Sequence, residues 1–296
     1  MLLCCVKTIK DVFITFREEL NNVYDAAETE SVTLLTLTEI THLSKAIIKA
    51  FPEREISADQ SQQLQNILSQ LQTGKPIQYI LGTIEFYGLT FNVNPSVLIP
   101  RPETEELVEW VLQSLVTDHW SLEGGALKIL DIGTGSGCIA ISIKENVPSA
   151  EVSAVDISTE ALATAKSNAA LNKVDVDFIQ DDILNPTQYS ILDTQYSILI
   201  SNPPYVTLQD KEQMHINVTN FEPHTALFVP QDDPLLFYKA IADFALNNLA
   251  DNGLLFLEIN ESFGEETVKV LSDKGFKDIE LKKDMGGKFR MVKAIK

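Results

Sequence analysis

The stretch from Lys128 to Glu145 constrains this chain more than any other. Lys128 to Ile132 reads as a buried strand, Gly133-Thr134-Gly135-Ser136-Gly137 as a turn, and Cys138 to Glu145 as a helix. A buried strand that runs through glycines straight into a helix is a building block of an open α/β sheet. Glycines at such a turn let a ligand approach the backbone, and the amino end of the helix favours negative charge. Spacing narrows the ligand. A dinucleotide fingerprint needs Gly-x-Gly-x-x-Gly, and its third glycine would stand where this chain has Cys138.

The observed Gly-x-Gly-x-Gly is instead the spacing that methyltransferases place around S-adenosylmethionine, so Gly133, Thr134, Gly135, Ser136 and Gly137 form the candidate cofactor loop. Asp156 ends the next strand, Val152 to Val155, about twenty residues on, where an acid can accept both ribose hydroxyls. Ser158 is placed to cap the helix that follows. Asp181 and Asp182 end a third strand, Val176 to Ile179. Asp182 is suited to accept from an adenine amino group, with Ile183 packing on the ring, whereas Asp181 reads equally well as a solvated loop acid.

A second corner follows the apolar run Tyr196 to Ile200, as Ser201-Asn202-Pro203-Pro204-Tyr205. Proline donates no ladder hydrogen bond, so the strand stops there, at the carboxyl end where open α/β sheets bind their ligands. The fixed φ angles of Pro203 and Pro204 hold the neighbouring carbonyls still. A rigid acceptor beside an Asn amide oxygen and a flat ring makes a receptor for an NH2 group on a planar host. The bland alternative is a strand-terminating turn.

Composition limits the partners. The 296 residues carry a formal charge of -19 with no Lys/Arg cluster, which disfavours a protein that grips nucleic acid directly and would attract a basic protein partner. Cys4, Cys5 and Cys138 make neither a disulfide framework nor a zinc pair, as expected of a reducing, cytoplasmic location. The opening MLLCCV is too short for a signal h-region and no later run reaches a membrane span, so no membrane is expected. His42 reads as a surface or packing residue and His215 and His224, which flank the proline corner without a second ligand or paired carboxylate, as surface residues, while His119 beside Trp120 carries no signal.

Residues 1–74 read as a helical bundle of three apolar stripes: Ile9 to Val23, Ile40 to Ile48, and Leu64 to Leu71, the last followed by Gly74 and Pro76 as stop signals. The pattern suits a structural cap and a partner-binding module equally. Residues 75–95 read as a β-hairpin connector around Gly88, and 96–296 as the catalytic domain. Leu98 to Glu105 opens a helix with Pro102 in its first turn, a candidate lid or wall of the site. Toward the carboxyl end, a helix from Leu235 to Leu249, a strand from Gly253 to Ile259 and a helix from Glu265 to Lys274 precede two strands, Phe276 to Leu281 and Phe289 to Ile295.

These motifs together resemble the release-factor glutamine N5-methyltransferases (HemK/PrmC). The resemblance rests on Pro76 to Gly82, Phe86-Tyr87-Gly88, Ile99 to Glu105, Asp131 to Gly137, Val155-Asp156, the Asn202-Pro203-Pro204-Tyr205 (NPPY) corner and Phe221-Glu222-Pro223. It implies an α/β fold: a seven-stranded class I S-adenosylmethionine-dependent methyltransferase (Rossmann-like) domain with one antiparallel strand, preceded by the small helical bundle, which would help bind the release factor. Methyl transfer would go to the side-chain amide nitrogen of the glutamine in the Gly-Gly-Gln loop of peptide chain release factors, a modification tied to translation termination. Gly133 to Gly137, Asp156, Asp182, Ile183 and Asn202 would surround S-adenosyl-L-methionine. Asn202, Pro203, Pro204 and Tyr205 would hold the glutamine, with Asn202 and Pro203 catalytic, no metal, and a monomer as the expected state. Two departures, Pro230 to Pro234 and Asn260-Glu261 in place of glycine, fall outside the expected contacts. The alternatives are transfer to a ribosomal protein glutamine or to adenine in nucleic acid, which the charge disfavours, and a non-enzymatic helical adaptor, which the intact loop and corner disfavour.

Overall fold

A computed structural model describes residues 7–117, 126–187, 191, 193–212 and 214–296. Cys4, Cys5 and His119 lie outside the described residues. The chain divides into two compact units, one of residues 1–82 with His215–Phe221, the other of Thr83–Met214 with Glu222–Lys296.

The first unit contains helices α1 (Ile9–Leu20), α2 (Ala26–Thr41), α3 (Lys45–Ala50), α4 (Ala58–Leu71) and α5 (Ile77–Leu81). Side-chain oxygens satisfy the orphan amides at the starts of the first four: Thr8 with Asp11 and Ser57 with Gln60 form capping boxes, and Asp25 and Ser44 cap α2 and α3. Over residues 1–74 three stripes were expected where four helices stand among the described residues, and α5 falls in the segment expected to be only a hairpin connector. Helix α2 shows no stripe because Thr29, Thr33 and Thr36 point inward, fully or almost fully buried. The Thr33 and Thr36 hydroxyls bond back to the carbonyls of Thr29 and Val32 at 2.7 and 2.8 Å, so these two occupy core positions with their hydroxyls paired, whereas the Thr38 hydroxyl of the same helix has no partner among the described residues. His42, in the left-handed region at φ 55°, then ends α2, and Ser44 starts α3. His42 is exposed, as the sequence reading has it.

The second unit opens with a hairpin, β1 (Thr83–Phe86) and β2 (Leu89–Asn92), and continues through α6 (Pro102–Thr117), β3 (Lys128–Ile132), α7 (Cys138–Asn146), β4 (Glu151–Asp156), α8 (Thr159–Asn172), β5 (Asp177–Gln180) and β6 (Tyr196–Ser201). The final strands are β7 (Leu249–Glu258), β8 (Lys277–Lys283) and β9 (Phe289–Ile295). They form one seven-stranded sheet in the order β5-β4-β3-β6-β7-β9-β8, parallel except at β9, which runs antiparallel to both neighbours. This is the expected class I methyltransferase architecture. Alternation along the strands divides the core. Ile129, Ile198, Ile200, Leu254 and Phe256 pack on one face, and Leu130, Ile132, Leu199, Leu255 and Leu257 on the other.

Buried Asn168 on α8 ties the hairpin to the glycine loop. Its amide oxygen accepts from the Asn92 N–H at 2.7 Å while its nitrogen donates to the carbonyls of Asn92 and Ser136 at 3.0 and 2.9 Å. In the loop itself Gly137 sits at φ 82°, and a Cβ there would lie 2.9 Å from Ile141 Cδ1 and 3.1 Å from Ala165 Cβ. This glycine therefore lets α7 approach α8. Gly137→Ala should lower stability by about 1 to 3 kcal/mol, the cost of a non-glycine residue in the left-handed region. A shift of the urea unfolding midpoint measures it, and an unchanged midpoint would contradict the packing role.

Candidate active site

Four parallel strands end at one edge of the sheet, and register sets what stands beside what. Ile132 pairs with Val155 and with Ser201, and Ser201 pairs with Leu257. The next residues, Gly133, Asp156, Asn202 and Glu258, therefore cluster where the ladder stops. A cavity of about 410 Å³ opens there, within the usual size range for small-molecule sites. It is lined by Gly133, Thr134, Gly135, Ser136, Asp156, Asp182, Ile183, Asn202, Pro203 and Pro204 among others. Gly137 and Tyr205 are not in the lining.

The loop and Asp156 hold each other. Gly135 N–H donates to Asp156 Oδ2 at 2.8 Å and Ser158 N–H to Oδ1 at 2.9 Å. Burial pushes the Asp156 carboxyl above its ordinary value, and these backbone donors partly offset that. Each oxygen keeps acceptor capacity, since an ionised carboxylate has about four lone-pair sites. Gly133 and Gly135 are at φ 74° and 55°, with nothing within 4 Å of where a Cβ would stand, so the open side of the loop is free for a ligand.

Behind the loop, Asp131 Oδ2 accepts from the Thr134 hydroxyl at 2.6 Å and the Ala140 N–H at 3.3 Å. Burial raises its carboxyl to about 7. Asp181 is not a solvated loop acid. It is buried, and its carboxylate accepts the N–H groups of Asp182 and Thr187, which folds the loop after β5.

At the proline corner, the side chain of Asn202 is oriented by groups distant in sequence. Asn202 Nδ2 donates to Thr104 Oγ1 at 3.1 Å, and the Thr104 hydroxyl donates to Glu258 Oε2 at 2.7 Å. The Tyr205 hydroxyl donates to Glu258 Oε1 at 3.0 Å. Tyr205 thus buttresses the corner from behind, where sequence reasoning put it against substrate. Burial pushes the Glu258 carboxyl up, opposed by the Thr104 and Tyr205 hydroxyls and the Arg290 charge. Asn260 also acts here: its Nδ2 donates to the Tyr205 carbonyl at 3.0 Å, so this departure from glycine touches the corner's backbone.

Leu98, Pro100 and Arg101 before α6 and Thr104 in its first turn line the cavity, which makes this segment a wall. It is fixed by Glu222, whose carboxylate accepts from Arg101 at 2.6 Å and from the Ile99 N–H at 3.2 Å. Thr104, Glu258 and the Arg101–Glu222 pair are the residues that sequence reasoning missed. A signal existed for Glu258, an acid at the end of the apolar run Leu254 to Leu257.

The description "Methyltransferase small domain" matches residues 111–221, and "PrmC N-terminal domain" matches residues 11–82. A release factor glutamine methyltransferase of Flavobacterium psychrophilum is 47% identical over 96% of this chain and 98% of its own. One of Bacteroides thetaiotaomicron is 40% identical over 94% and 96%. Among solved structures, the hMettl16 catalytic domain in complex with MAT2A 3'UTR hairpin 1 aligns with a TM-score of 0.53 at 15% identity, covering 82% of this chain and 83% of that one. A methyltransferase from Pyrococcus furiosus aligns at 0.50 and 16% identity, covering 78% and 98%. These two share the fold. With relatives at such identity spanning nearly its whole length, the chain belongs to the release factor glutamine methyltransferase family.

Proposed function

We propose that this protein transfers a methyl group from S-adenosylmethionine to the side-chain amide nitrogen (N5) of the glutamine in the Gly-Gly-Gln loop of peptide chain release factors. The observation that carries the reading is that Asn202 lines the same cavity as the glycine loop and Asp156, so an amide bound at the corner meets whatever the loop holds. Relatives named for this activity support the choice of substrate. Transfer to adenine gains no support from a chain of charge -19.

The residues present fit the cofactor: an open glycine loop, a half-buried acid with acceptor capacity for ribose hydroxyls, and Asp182 and Ile183 beside them in the cavity wall. When bound, S-adenosylmethionine supplies an electrophilic sulfonium methyl. An amide nitrogen is a poor nucleophile because its lone pair is delocalised into the carbonyl. Asn202 Oδ1 and the Pro203 carbonyl would each accept one N–H of the substrate amide, turning the nitrogen lone pair toward the side of the cavity where the glycine loop would hold the cofactor. No strong base is needed before transfer, because the product nitrogen sheds its proton readily. Positioning of this kind supplies up to about 7 to 11 kcal/mol.

The helical unit contributes contacts to the release factor. Phe51 and Ile47 are exposed there and line a surface hollow with Pro52 and Arg54, an apolar patch that suits a protein partner. Among the described residues no helix is long and apolar enough to cross a membrane. A cytoplasmic location and a monomer complete the reading.

Asp156→Ala should weaken cofactor binding by about 1.5 to 3 kcal/mol, the worth of charge-assisted hydrogen bonds. Titration calorimetry checks this, and an unchanged affinity removes Asp156 from the site. Phe51→Ser should raise KM for release factor about fivefold, equivalent to roughly 1 kcal/mol of an interface side chain, with cofactor affinity unchanged. An unchanged KM takes this patch out of the interface. Asn202→Ala should slow single turnover by roughly a hundred to a thousandfold at saturating cofactor and release factor. Asn202→Asp keeps an acceptor and should lose less. Transfer of labelled methyl to purified release factor, ribosomal protein or nucleic acid tests the reading as a whole. Label on release factor, lost in Asn202→Ala, supports it, and label elsewhere overturns it.

A further inference from the structure

The Asn202 amide has two sides, an oxygen that accepts and an NH2 that donates, and they are nearly the same shape. Only one presentation helps a substrate NH2 group. If Asn202 turned its own NH2 to the cavity, two donors would face each other. Some group has to choose the orientation, and the choice is visible in the hydrogen bonds around Thr104.

A threonine hydroxyl has one proton. The Thr104 proton goes to Glu258 Oε2 at 2.7 Å, shorter than the 3.1 Å contact between Thr104 and Asn202. The other Glu258 oxygen takes the Tyr205 hydroxyl proton, so the carboxylate accepts at both ends. With its proton committed, Thr104 Oγ1 is an acceptor toward Asn202, and the Asn202 NH2 must face it. Thr104 and Glu258 are shielded, 2% and 1% exposed, so water does not compete for the hydroxyl. Burying an acid at the end of β7 is costly for stability, which points to a role in the site.

We propose that Glu258 and Thr104 are positioning residues that fix the Asn202 amide with its oxygen toward the substrate nitrogen. They act through Asn202: Glu258 is not in the cavity lining, and Thr104, which is, meets Asn202 through its hydroxyl. The inference rests on the proposed amide transfer. It adds that the selectivity of the corner for an NH2 group is set by an acid from a different strand and a hydroxyl from α6.

The test is a comparison of Thr104→Val and Thr104→Ser under saturating cofactor and release factor. Valine keeps the shape and removes the hydroxyl. Thr104→Val should cut kcat roughly ten to a hundredfold, the scale of losing a supporting partner and less than the loss of Asn202 itself, while KM for release factor changes less than about threefold, since transition-state orientation is what is lost. Thr104→Ser should restore most of the rate. In an Asn202→Ala background, Thr104→Val should cost nothing further, because there is no amide left to orient. Wild-type turnover in Thr104→Val, or losses that multiply in the double variant, would overturn the proposal. Should Thr104→Val fail to fold, the wild-type protein still decides. The Asn202 side-chain NH2 signals, assigned against Asn202→Ala, should show slowed exchange with solvent deuterium, and free exchange would overturn the bond to Thr104. Absence of transfer by the wild-type protein to release factor would instead defeat the functional reading, so the two failures are distinct.

Discussion

Parallel pairing of β4, β3, β6 and β7 is the constraint on which everything else depends, because it delivers four strand ends to one edge. Parallel strands are buried on both faces and need crossover helices, so their ends are the first places where polar groups can appear without breaking a core. Gly133, Asp156, Asn202 and Glu258 each follow or end a strand there. The register makes them neighbours. A slip of one residue between β6 and β7 would send Glu258 to the opposite face and leave Asn202 without its chain of partners.

Polar groups at this edge are satisfied by one another across long sequence distances. Thr104 and Glu258 are 154 residues apart, and Ile99 and Glu222 are 123 apart. Such networks carry a high penalty if half formed, since each buried acid then loses its partner. The edge is therefore rigid when complete. That rigidity suits a reaction whose demand is to hold a weak nucleophile at the correct angle.

The parts of this that could be read from the sequence are those marked by residues with unusual backbone behaviour. Glycines announce the loop at 133–137 and prolines announce the corner at 203–204, while Asp156 is found by its distance from the loop. Thr104 carried no such mark, as a threonine in a proline-started helix reads as surface until Glu258 is placed beside it. Helix α2 was hidden for a related reason, since its buried threonines, of which Thr33 and Thr36 bond back to their own helix, break the apolar period. Gly137 and Tyr205 belong to the right motifs, yet the first serves helix packing and the second braces Glu258. Motif spacing identifies a site and leaves open which member faces the ligand.

The central claim is that an amide nitrogen is held by Asn202 and Pro203 while its lone pair faces the methyl group. The most direct measurement is a crystal structure of the wild-type protein with S-adenosylhomocysteine and a Gly-Gly-Gln peptide. The account predicts the glutamine nitrogen within hydrogen-bond distance of both Asn202 Oδ1 and the Pro203 carbonyl, with the Asn202 NH2 still on Thr104. A glutamine bound away from the corner, or an Asn202 amide turned with its NH2 to the substrate, would contradict it.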